Sequence, residues 1–391
     1  MRVTQSMVTM NSLTNLSKSY EQLKTSQEQL STGKKISRAS EDPVIAMNGI
    51  RYRSQVTETE QFNRNLSEAY NWTDTSDATL DKGTDALHRV RELTVQAAND
   101  SYESGQRGNI AQEVRQLREH LASLGNTQNN NKFIFNGTDT TNEPIDLDGM
   151  DIGTTGIMNA LDGDDVDQQI EDGDFPVEVT HSGQTYQLAA SDEDEAVFET
   201  ESGESLTFAI EDGEISNITR TYTGTDAEGN EAEQTETLRP SQVIASNKDA
   251  VSTNDKDVSI ELLKGVKVPV NVKPEQVFSN QLFGDLKQLE NMLEDETTET
   301  SEISEMLDHL DFHIDNSVNE RAELGARVNR IEMIDSRIQE QEVIAKRILS
   351  DNEDADMEKV ITEMMSQENV HRAALSSSAR IMQPTLMDFL R

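Results

Sequence analysis

Apolar residues at both ends of the chain recur at alternating spacings of three and four residues, the pattern of a helix that packs along one narrow face. Near the start, this stripe consists of Leu13, Leu16, Tyr20, Leu23, Gln27 and Leu30. A second stripe keeps its phase from Ile303 to Leu349. Because so narrow a stripe is buried best against another helix, the N- and C-terminal regions predict a long antiparallel helical bundle or coiled coil.

The middle of the chain changes to a period of two, which is typical of half-buried strands. Apolar residues alternate at Tyr186 and Leu188, and again from Leu206 to Ile210. Turn-forming pairs separate such runs at Ser182-Gly183, Asp212-Gly213 and Gly229-Asn230. The sequence therefore predicts a mainly α protein with a small acidic β domain inserted over residues 141–275, in which the stretch 146–174 is an acidic loop.

Charge is distributed unevenly along the chain. Residues 1–136 carry 16 basic and 16 acidic side chains, residues 137–275 carry 7 and 33, and residues 276–391 carry 11 and 25. A neutral end can pack against copies of itself, whereas a segment with a net charge of −26 must face water or ions. We therefore expect the ends to assemble and the β domain to face outward. The formal net charge of −40 argues against nucleic acid and anionic membranes as partners.

Helix signals set the expected domain boundaries. Gly33 is placed to end the first helix, and Asp42 followed by Pro43 is placed to begin a second, long one. A third helix should stop at Gly125 and be followed by a short strand from Phe133 to Phe135. The expected parts are an N-terminal assembly and export segment (1–43), the N-terminal part of a helical core (44–140), the acidic outward-facing β-rich domain (141–275), the C-terminal part of the core (276–349), and a C-terminal assembly helix with its tail (350–391).

Few residues are arranged for catalysis or metal binding. His309 and His313 have the i, i+4 spacing that can hold a divalent metal on a helix, but the glutamate of a metalloprotease motif is missing. The stretch 146–151 resembles part of a calcium loop without its final glutamate, so weak calcium binding there or at 162–167 is an alternative to plain solvated turns. The absence of cysteine excludes disulfides and thiolate sites. No catalytic, metal or cofactor site is predicted, and the chain is not expected to be an enzyme.

The predicted functional residues are instead apolar side chains near the two ends. The tail from Thr385 to Arg391 is too apolar for a solvated terminus, and neither terminal stripe has an obvious partner within the chain. Segments of this kind gain burial on assembly, as in coupled folding and binding. The expected assembly interface consists of Leu13, Leu16, Tyr20, Leu23, Leu30, Leu375, Met382, Leu386, Phe389 and Leu390.

Two segments resemble the paired signatures of the bacterial flagellin family. The first, Leu30 to Pro43, reads LSTGKKISRASEDP, and the second, Glu320 to Ile331, reads ERAELGARVNRI. Within that family, the beginning, Met1 to Met7, and the end, Ile381 to Arg391, resemble the member found where the flagellar hook meets the filament. The resemblance covers roughly residues 1–140 and 276–391, and it stops at the predicted β domain.

This resemblance implies a secreted, extracellular structural subunit of the bacterial flagellum at the hook–filament junction. The partners it implies are hook-associated protein 1, flagellin, further copies of the chain in a ring-like layer, and an export chaperone before secretion. One alternative is a flagellin proper, the subunit of the filament. A less favoured alternative is a surface glycan-binding or hydrolytic protein, which would require a cleft with convergent carboxylates and aromatic residues in 141–275.

Overall fold

A computed structural model describes residues 5–99, 104–163, 165–192, 194–200, 202–211, 213–225 and 231–382. The chain forms two compact units. The terminal unit contains the described residues up to Arg64 and from Asp335 onward, and the central unit contains those from Asn65 to Ile334. None of the helices in the described part of the chain is long and apolar enough to cross a bilayer.

Helices dominate the described residues, as the terminal stripes predict. They are α1 (Gln5–Thr32), α2 (Pro43–Ala97), α3 (Ser104–Gly125), α4 (Gly153–Leu161), α5 (Val166–Asp172), α6 (Pro274–Val277), α7 (Asn280–Glu294), α8 (Thr300–Glu353) and α9 (Met357–Met382). The predicted end of the third helix at Gly125 is confirmed. The predicted fold class, helices from both ends around an inserted β domain, is confirmed as well.

Helices α1 and α9 pack on each other within the terminal unit. The N–H of Ala355, just before α9, donates to the carbonyl of Gly33, just after α1, over 2.8 Å. The rings of Tyr20 and His371 lie 6.0 Å apart further along the two helices. The end of α1 thus lies beside the start of α9, and an earlier position of α1 lies beside a later position of α9, so the two helices are antiparallel. The expectation that neither terminal stripe has a partner within the chain is corrected by this pairing.

The strands lie in the central unit and are antiparallel in every sheet. They are β1 (Gln128–Asn129), β2 (Lys132–Phe133), β3 (Val177–His181), β4 (Gln184–Ser191), β5 (Glu195–Glu199), β6 (Ser205–Glu211), β7 (Glu214–Thr225), β8 (Glu231–Leu238), β9 (Ile244–Asn247), β10 (Ser259–Leu263) and β11 (Val266–Pro269). One seven-stranded sheet has the order β8-β7-β6-β5-β4-β3-β9, and β1-β2 and β10-β11 are two-stranded.

The alternation of apolar residues places one face of the large sheet in a core. Phe198 and Phe208, on neighbouring strands, are fully buried with their ring centroids 5.2 Å apart. Ser182 and Gly183, with φ of 46° and 70°, form the predicted turn between β3 and β4. Strands β6 and β7 pair on either side of Gly213, where a turn is predicted, whereas Asp212 and the pair Gly229-Asn230 lie outside the described residues.

Two local predictions are wrong. The stretch 146–174, predicted as a loop, contains α4 and α5, because Ile157 and its helical neighbours cover the apolar face of the sheet. The short strand predicted from Phe133 to Phe135 begins one residue earlier and ends at Phe133, as β2, and it pairs with β1, a strand that was not predicted. Phe135 is nevertheless buried, with its ring 5.3 Å from that of Phe278.

The β10–β11 hairpin packs on the long helices of the central unit. The amide of Asn65, on α2, donates to the carbonyl of Glu261 over 2.7 Å. The guanidinium of Arg327, on α8, donates to the carbonyl of Asn271 over 2.7 Å. Residues 259–271 therefore contact the helices directly. The five-part division made from the sequence stays a prediction.

Candidate assembly surface

The face of α1 that meets α9 is lined by serine as well as leucine. Ser19 and Ser26 are buried, and Leu16 and Leu23 are half-buried. Leu13 and Tyr20, by contrast, are 51% and 61% exposed. The intramolecular seam thus uses the serine positions, one residue before Tyr20 and Gln27, because small side chains allow two helices to approach closely. Leu13 and Tyr20 of the predicted stripe remain on the surface.

Helix α9 repeats this division between a seam and an exposed stripe. Val360 is buried, and Met364 and His371 are half-buried on the side facing α1. Ile361 and Leu375 are exposed. Met382 is the last residue of α9, and its side chain lies outside the described set, as do Leu386, Phe389 and Leu390.

Exposed apolar side chains are concentrated in the terminal unit. All the large exposed apolar residues of the described chain, except Val95, Phe312, Val318 and Met333, belong to it. The terminal unit contributes few residues to the buried apolar core, and these are Ile338, Ala345 and Val360. A surface of this kind is typical of a protein–protein interface. Its exposed members are Met7, Met10, Leu13, Tyr20, Val44, Met47, Ile50, Val343, Ile344, Met357, Ile361, Met365, Val370 and Leu375.

The connector between α1 and α2 is held by the caps that the sequence predicts. Gly33 has a φ of 70°, which a residue without a Cβ adopts at little cost, and it ends α1. The carboxylate of Asp42 accepts hydrogen bonds from the N–H groups of Val44 and Ile45 at 2.9 and 3.1 Å, so it caps the first turn of α2.

Glu353, the last residue of α8, fastens this connector. Its carboxylate, 7% exposed, lies 2.7 Å from Arg53 Nε and 3.4 Å from Lys34 Nζ. Its carbonyl accepts the N–H of Lys35 over 2.7 Å. Gly49 lies so close that a Cβ there would approach Glu353 Oε1 to 2.6 Å. Two loops of the terminal unit, after α1 and after α8, are therefore joined through one carboxylate.

The charges around Glu353 shift its titration. Burial by itself raises the pKa of the Glu353 carboxyl, but the hydrogen bonds and positive charges of Arg53 and Lys34 outweigh burial and lower it. The hydrogen bond to Asp354 raises the pKa of Lys34. All these groups are thus ionised around neutral pH, which keeps the ion pairs intact.

A groove of about 260 Å³ lies between the connector and the start of α2. Its apolar wall includes Ile36, Ile45 and Ile50, and basic side chains of Arg38 and Arg53 line its rim. Apolar walls with a charged rim suit a segment of another protein chain.

The two histidines at i, i+4 spacing face a carboxylate of α7. His313 Nε2 lies 2.8 Å, and His309 Nδ1 3.9 Å, from Asp285 Oδ2. In the described ranges, no three potential ligands gather as a metal site requires. The calcium-like stretch forms a local turn, in which the N–H of Asp148 donates to Asp146. At both places the described side chains make polar contacts within the chain.

The aromatic residues of the β domain are used mainly for its core. Phe175, Tyr186, Phe198 and Phe208 are buried. Tyr222 is half-buried and donates its hydroxyl to Gln234 over 3.0 Å. A polar groove of about 450 Å³ beside the sheet is lined by Glu178, Glu275 and Glu320, with Phe312 from α8 as its aromatic member. The one aromatic side chain on this groove among the described residues thus comes from outside residues 141–275.

The comparisons with known proteins agree with the helical ends. The chain matches the family model of the bacterial flagellin N-terminal helical region over residues 3–140, and that of the C-terminal helical region over residues 307–390. Together the two matches cover more than half of the chain.

Individual relatives match over shorter stretches. The flagellar filament 41 kDa core protein of Borreliella burgdorferi is 32% identical over 112 residues, which are 28% of this chain and 33% of the relative. Flagellar hook-associated protein 3 of Escherichia coli is 28% identical over 119 residues, 30% of this chain and 38% of the relative. The chain thus spans about a third of the length of these curated relatives. A flagellin of Halalkalibacterium halodurans is 27% identical over 167 residues, 40% of this chain and 61% of the relative.

The fold also has a counterpart among solved structures. A candidate flagellar hook-associated protein of Vibrio parahaemolyticus superimposes with a TM-score of 0.51 over 80% of this chain and 100% of that chain, at 14% identity. This likeness shows a shared fold.

Proposed function

Because the chain belongs to the bacterial flagellin family, we propose that it is a structural subunit of the flagellum at the junction between hook and filament. In that place it links the hook-side junction protein, hook-associated protein 1, to the first flagellin subunits. The similarity of about a third of the chain to hook-associated protein 3 supports this position. The resemblance of its first and last residues to the same protein supports it as well.

The observation that carries the proposal is the contrast between the two units. The central unit buries its apolar side chains, whereas the terminal unit exposes about half of its large ones and fully buries few. Burying such residues between neighbouring subunits contributes roughly 25 cal/mol for each Å² removed from water. A subunit with this surface gains stability when it joins an assembly, which is the behaviour required of a structural component rather than of an enzyme.

The same surface gives the reason for the proposed partners. Copies of the chain form a ring-like layer through the terminal unit, and the two faces of that layer meet hook-associated protein 1 and flagellin. Before secretion the exposed apolar residues must be shielded from non-specific association, and an export chaperone binds them. The protein then acts outside the cell, where a displayed domain with a net charge of −26 stays hydrated.

A filament-forming flagellin is the second candidate, because the chain is also similar to curated flagellins. The two candidates differ in where the protein lies along the flagellum. A junction subunit occupies one narrow zone beside the hook, whereas a flagellin extends over the whole filament.

Labelled antibody on isolated flagella separates these candidates. We expect label in a single zone where the hook meets the filament, and a strain without this chain should make hooks but release its flagellin into the medium. An antibody against flagellin serves as the matched control, because it should label the length of the filament. Label from this chain along the filament would show that the junction assignment is wrong and favour the flagellin alternative.

A further inference from the structure

The start of α2 presents an apolar stripe that the α1–α9 pair does not use. Val44, Met47 and Ile50 are spaced three residues apart and are 63%, 69% and 69% exposed. At a rise of about 1.5 Å per residue they span about 9 Å of helix surface. Ile50 also lines the groove of about 260 Å³ beside the connector. This α2 stripe is large enough to receive about two turns of another helix.

The start of α9 carries a second exposed stripe of similar length. Met357, Ile361 and Met365 are spaced four residues apart and are all exposed. They cover about 12 Å of helix surface. Methionines in both stripes allow packing to adapt, because the side chain is unbranched and flexible.

The two stripes lie in regions of opposite charge. Residues 34–53 contain five basic and two acidic side chains, whereas residues 357–368 contain three acidic and one basic. Lys34 and Arg53 are already paired with Glu353, but Arg38 and Arg51 are exposed beside the α2 stripe. Glu358 is exposed beside the α9 stripe. Opposite charges at the rims of two apolar faces favour their pairing and set its orientation.

We infer that the α2 stripe of one copy docks on the α9 stripe of the next copy, so that the chain assembles head to tail. In this heterologous arrangement, the α2 stripe of each copy contacts one neighbour and its α9 stripe contacts another. A heterologous contact continues from copy to copy and closes into a ring or extends as a helix, as a layer of a tubular structure requires. The inference rests on the proposed role of the terminal unit in assembly and adds which faces meet.

Pairing of each stripe with its own kind is disfavoured on electrostatic grounds. Two α2 stripes would bring Arg38 and Arg51 of both copies together, and two α9 stripes would do the same with Glu358. Like charges across a contact oppose association, while the mixed pairing places a base against an acid.

Disulfide trapping tests this geometry cleanly, because the chain contains no cysteine of its own. Purified Met47→Cys and Ile361→Cys chains are mixed, brought to a concentration at which sedimentation detects association, and oxidised. We expect the mixed 47–361 cross-link to exceed both self-cross-links severalfold, and Met333→Cys, an exposed methionine of the central unit, to cross-link weakly with either. Dominant 361–361 or 47–47 products, equal yield with Met333→Cys, or no association up to the solubility limit would overturn the inference.

Charge reversal provides a second, independent test. Arg51→Glu or Glu358→Arg is expected to weaken association on the order of fivefold at low salt, and the two changes combined in one chain should restore most of it. Failure of the combination to recover association, with each variant still folded by circular dichroism, would contradict head-to-tail pairing. Both tests use purified chains, so an unexpected position on the flagellum would overturn the proposed function and leave this inference standing.

Discussion

His313 Nε2 and Asp285 Oδ2 lie 2.8 Å apart, and their side chains are 4% and 0% exposed. The other oxygen of Asp285 accepts the N–H of Gly183, in the β3–β4 turn, over 3.2 Å. The N–H of Ser182 donates to the amide oxygen of Gln288, also on α7, over 3.2 Å. The turn of the large sheet is thus fastened to α7 and α8 through one buried carboxylate. Buried polar networks of this kind are costly to break, because an orphaned group is left without water.

Replacing Gly183 by alanine should weaken this attachment. Its φ of 70° strains any side chain, and an added Cβ would clash with His309 Nδ1. Gly213→Ala is the matched control, because its φ is 78° in another hairpin turn and nothing lies within 4 Å of the added atom. We expect both variants to lose about 1 kcal/mol from backbone strain, and Gly183→Ala to lose a further 1–3 kcal/mol or so from the steric clash. Urea unfolding, followed by the fluorescence of the single tryptophan, Trp72 in the central unit, measures both losses of unfolding free energy. Equal losses would show that the clash with His309 does not affect stability.

His181 should make the central unit less stable in acid. Burial lowers the pKa of its imidazole from 6.5 to about 4, and its Nδ1 lies 2.8 Å from the carbonyl of Gln242. Between these two pKa values the unfolded chain binds a proton that the folded chain does not, so stability falls as the pH falls from about 6.5 to about 4. The expected loss is on the order of 3 kcal/mol.

The contribution of His181 is measured as a difference between two pH profiles. Many carboxylates also titrate in this range, so the unfolding free energy of the parent chain is compared with that of His181→Gln at each pH. The variant should show a shallower decline between about pH 6.5 and 4. Parallel profiles would mean that the imidazole of His181 becomes charged in the folded protein over the same pH range as in the unfolded chain, so that its pKa is not lowered by folding.

The helical period and the capping residues made most of the fold predictable. Gly33, Asp42 and Gly125 end or begin helices where expected, since their local chemistry decides the backbone conformation. Helices α4 and α5 could not be predicted because they are short and lie in a strongly acidic stretch. Their few apolar residues show no clear period in the sequence and form a buried face only against the sheet.

The phase of the α1 seam could not be decided from the sequence. Ser19 and Ser26 are seven residues apart, and so are Tyr20 and Gln27, so the heptad period fits either pair. In the structure, the serines are the pair that packs against α9. The hydrogen bond between Asp285 and the β3–β4 turn could not be predicted either. Its two partners are far apart in the sequence, and no local motif marks them.

Ser19→Ala should strengthen the α1–α9 pair. The hydroxyl of Ser19 is buried and has no hydrogen-bond partner among the described residues, whereas Ser17, on the same helix, is exposed. Removing a buried orphan hydroxyl is expected to stabilise the pair by about 1 kcal/mol beyond the small helix-propensity gain of Ser17→Ala. Slower hydrogen exchange in residues 12–30 measures the effect, and equal exchange in the two variants would refute it.

Glu353→Gln should loosen the joined loops of the terminal unit. The change removes the negative charge that Arg53 and Lys34 share and leaves two cations beside each other. The N–H groups of Lys35 and Ala355, which are bonded across the two loops, should then exchange faster. Glu363→Gln is the matched control, because that carboxylate is exposed and lies 3.9 Å from Lys359. Unchanged exchange in Glu353→Gln would mean that the backbone bonds hold the loops without the charge.

The last prediction concerns where the β domain can be cut out of the central unit. Ile145 and Val251 form an isolated antiparallel bridge, and the N–H of Asp146 donates to the carbonyl of Ala250 over 2.8 Å. The chain thus leaves and returns at one point, with α4, α5 and the large sheet between. Ile145 is anchored on its other side by two hydrogen bonds with the amide of Asn126 at 2.8 and 3.0 Å.

Two deletions follow from this arrangement and differ in whether residues 141–145 and 251–275 are kept. Replacing residues 146–250 by Asn-Gly bridges antiparallel partners with a favoured two-residue turn and keeps the β10–β11 hairpin on Asn65 and Arg327. Replacing residues 141–275 by a flexible linker removes that hairpin as well. Both uncover the same face of α7, so the difference in unfolding free energy, read from Trp72 fluorescence and helix circular dichroism, measures what the hairpin and its flanking segments contribute together. We expect the shorter deletion to remain folded and to be more stable by about 2 kcal/mol or more, because the longer one uncovers buried side chains of β10 and β11 such as Leu262 and Val268. If the two deletion variants have equal unfolding free energies, the β10–β11 hairpin does not stabilise the helices and belongs to the removable domain, as the boundary of 141–275 predicted from the sequence implies.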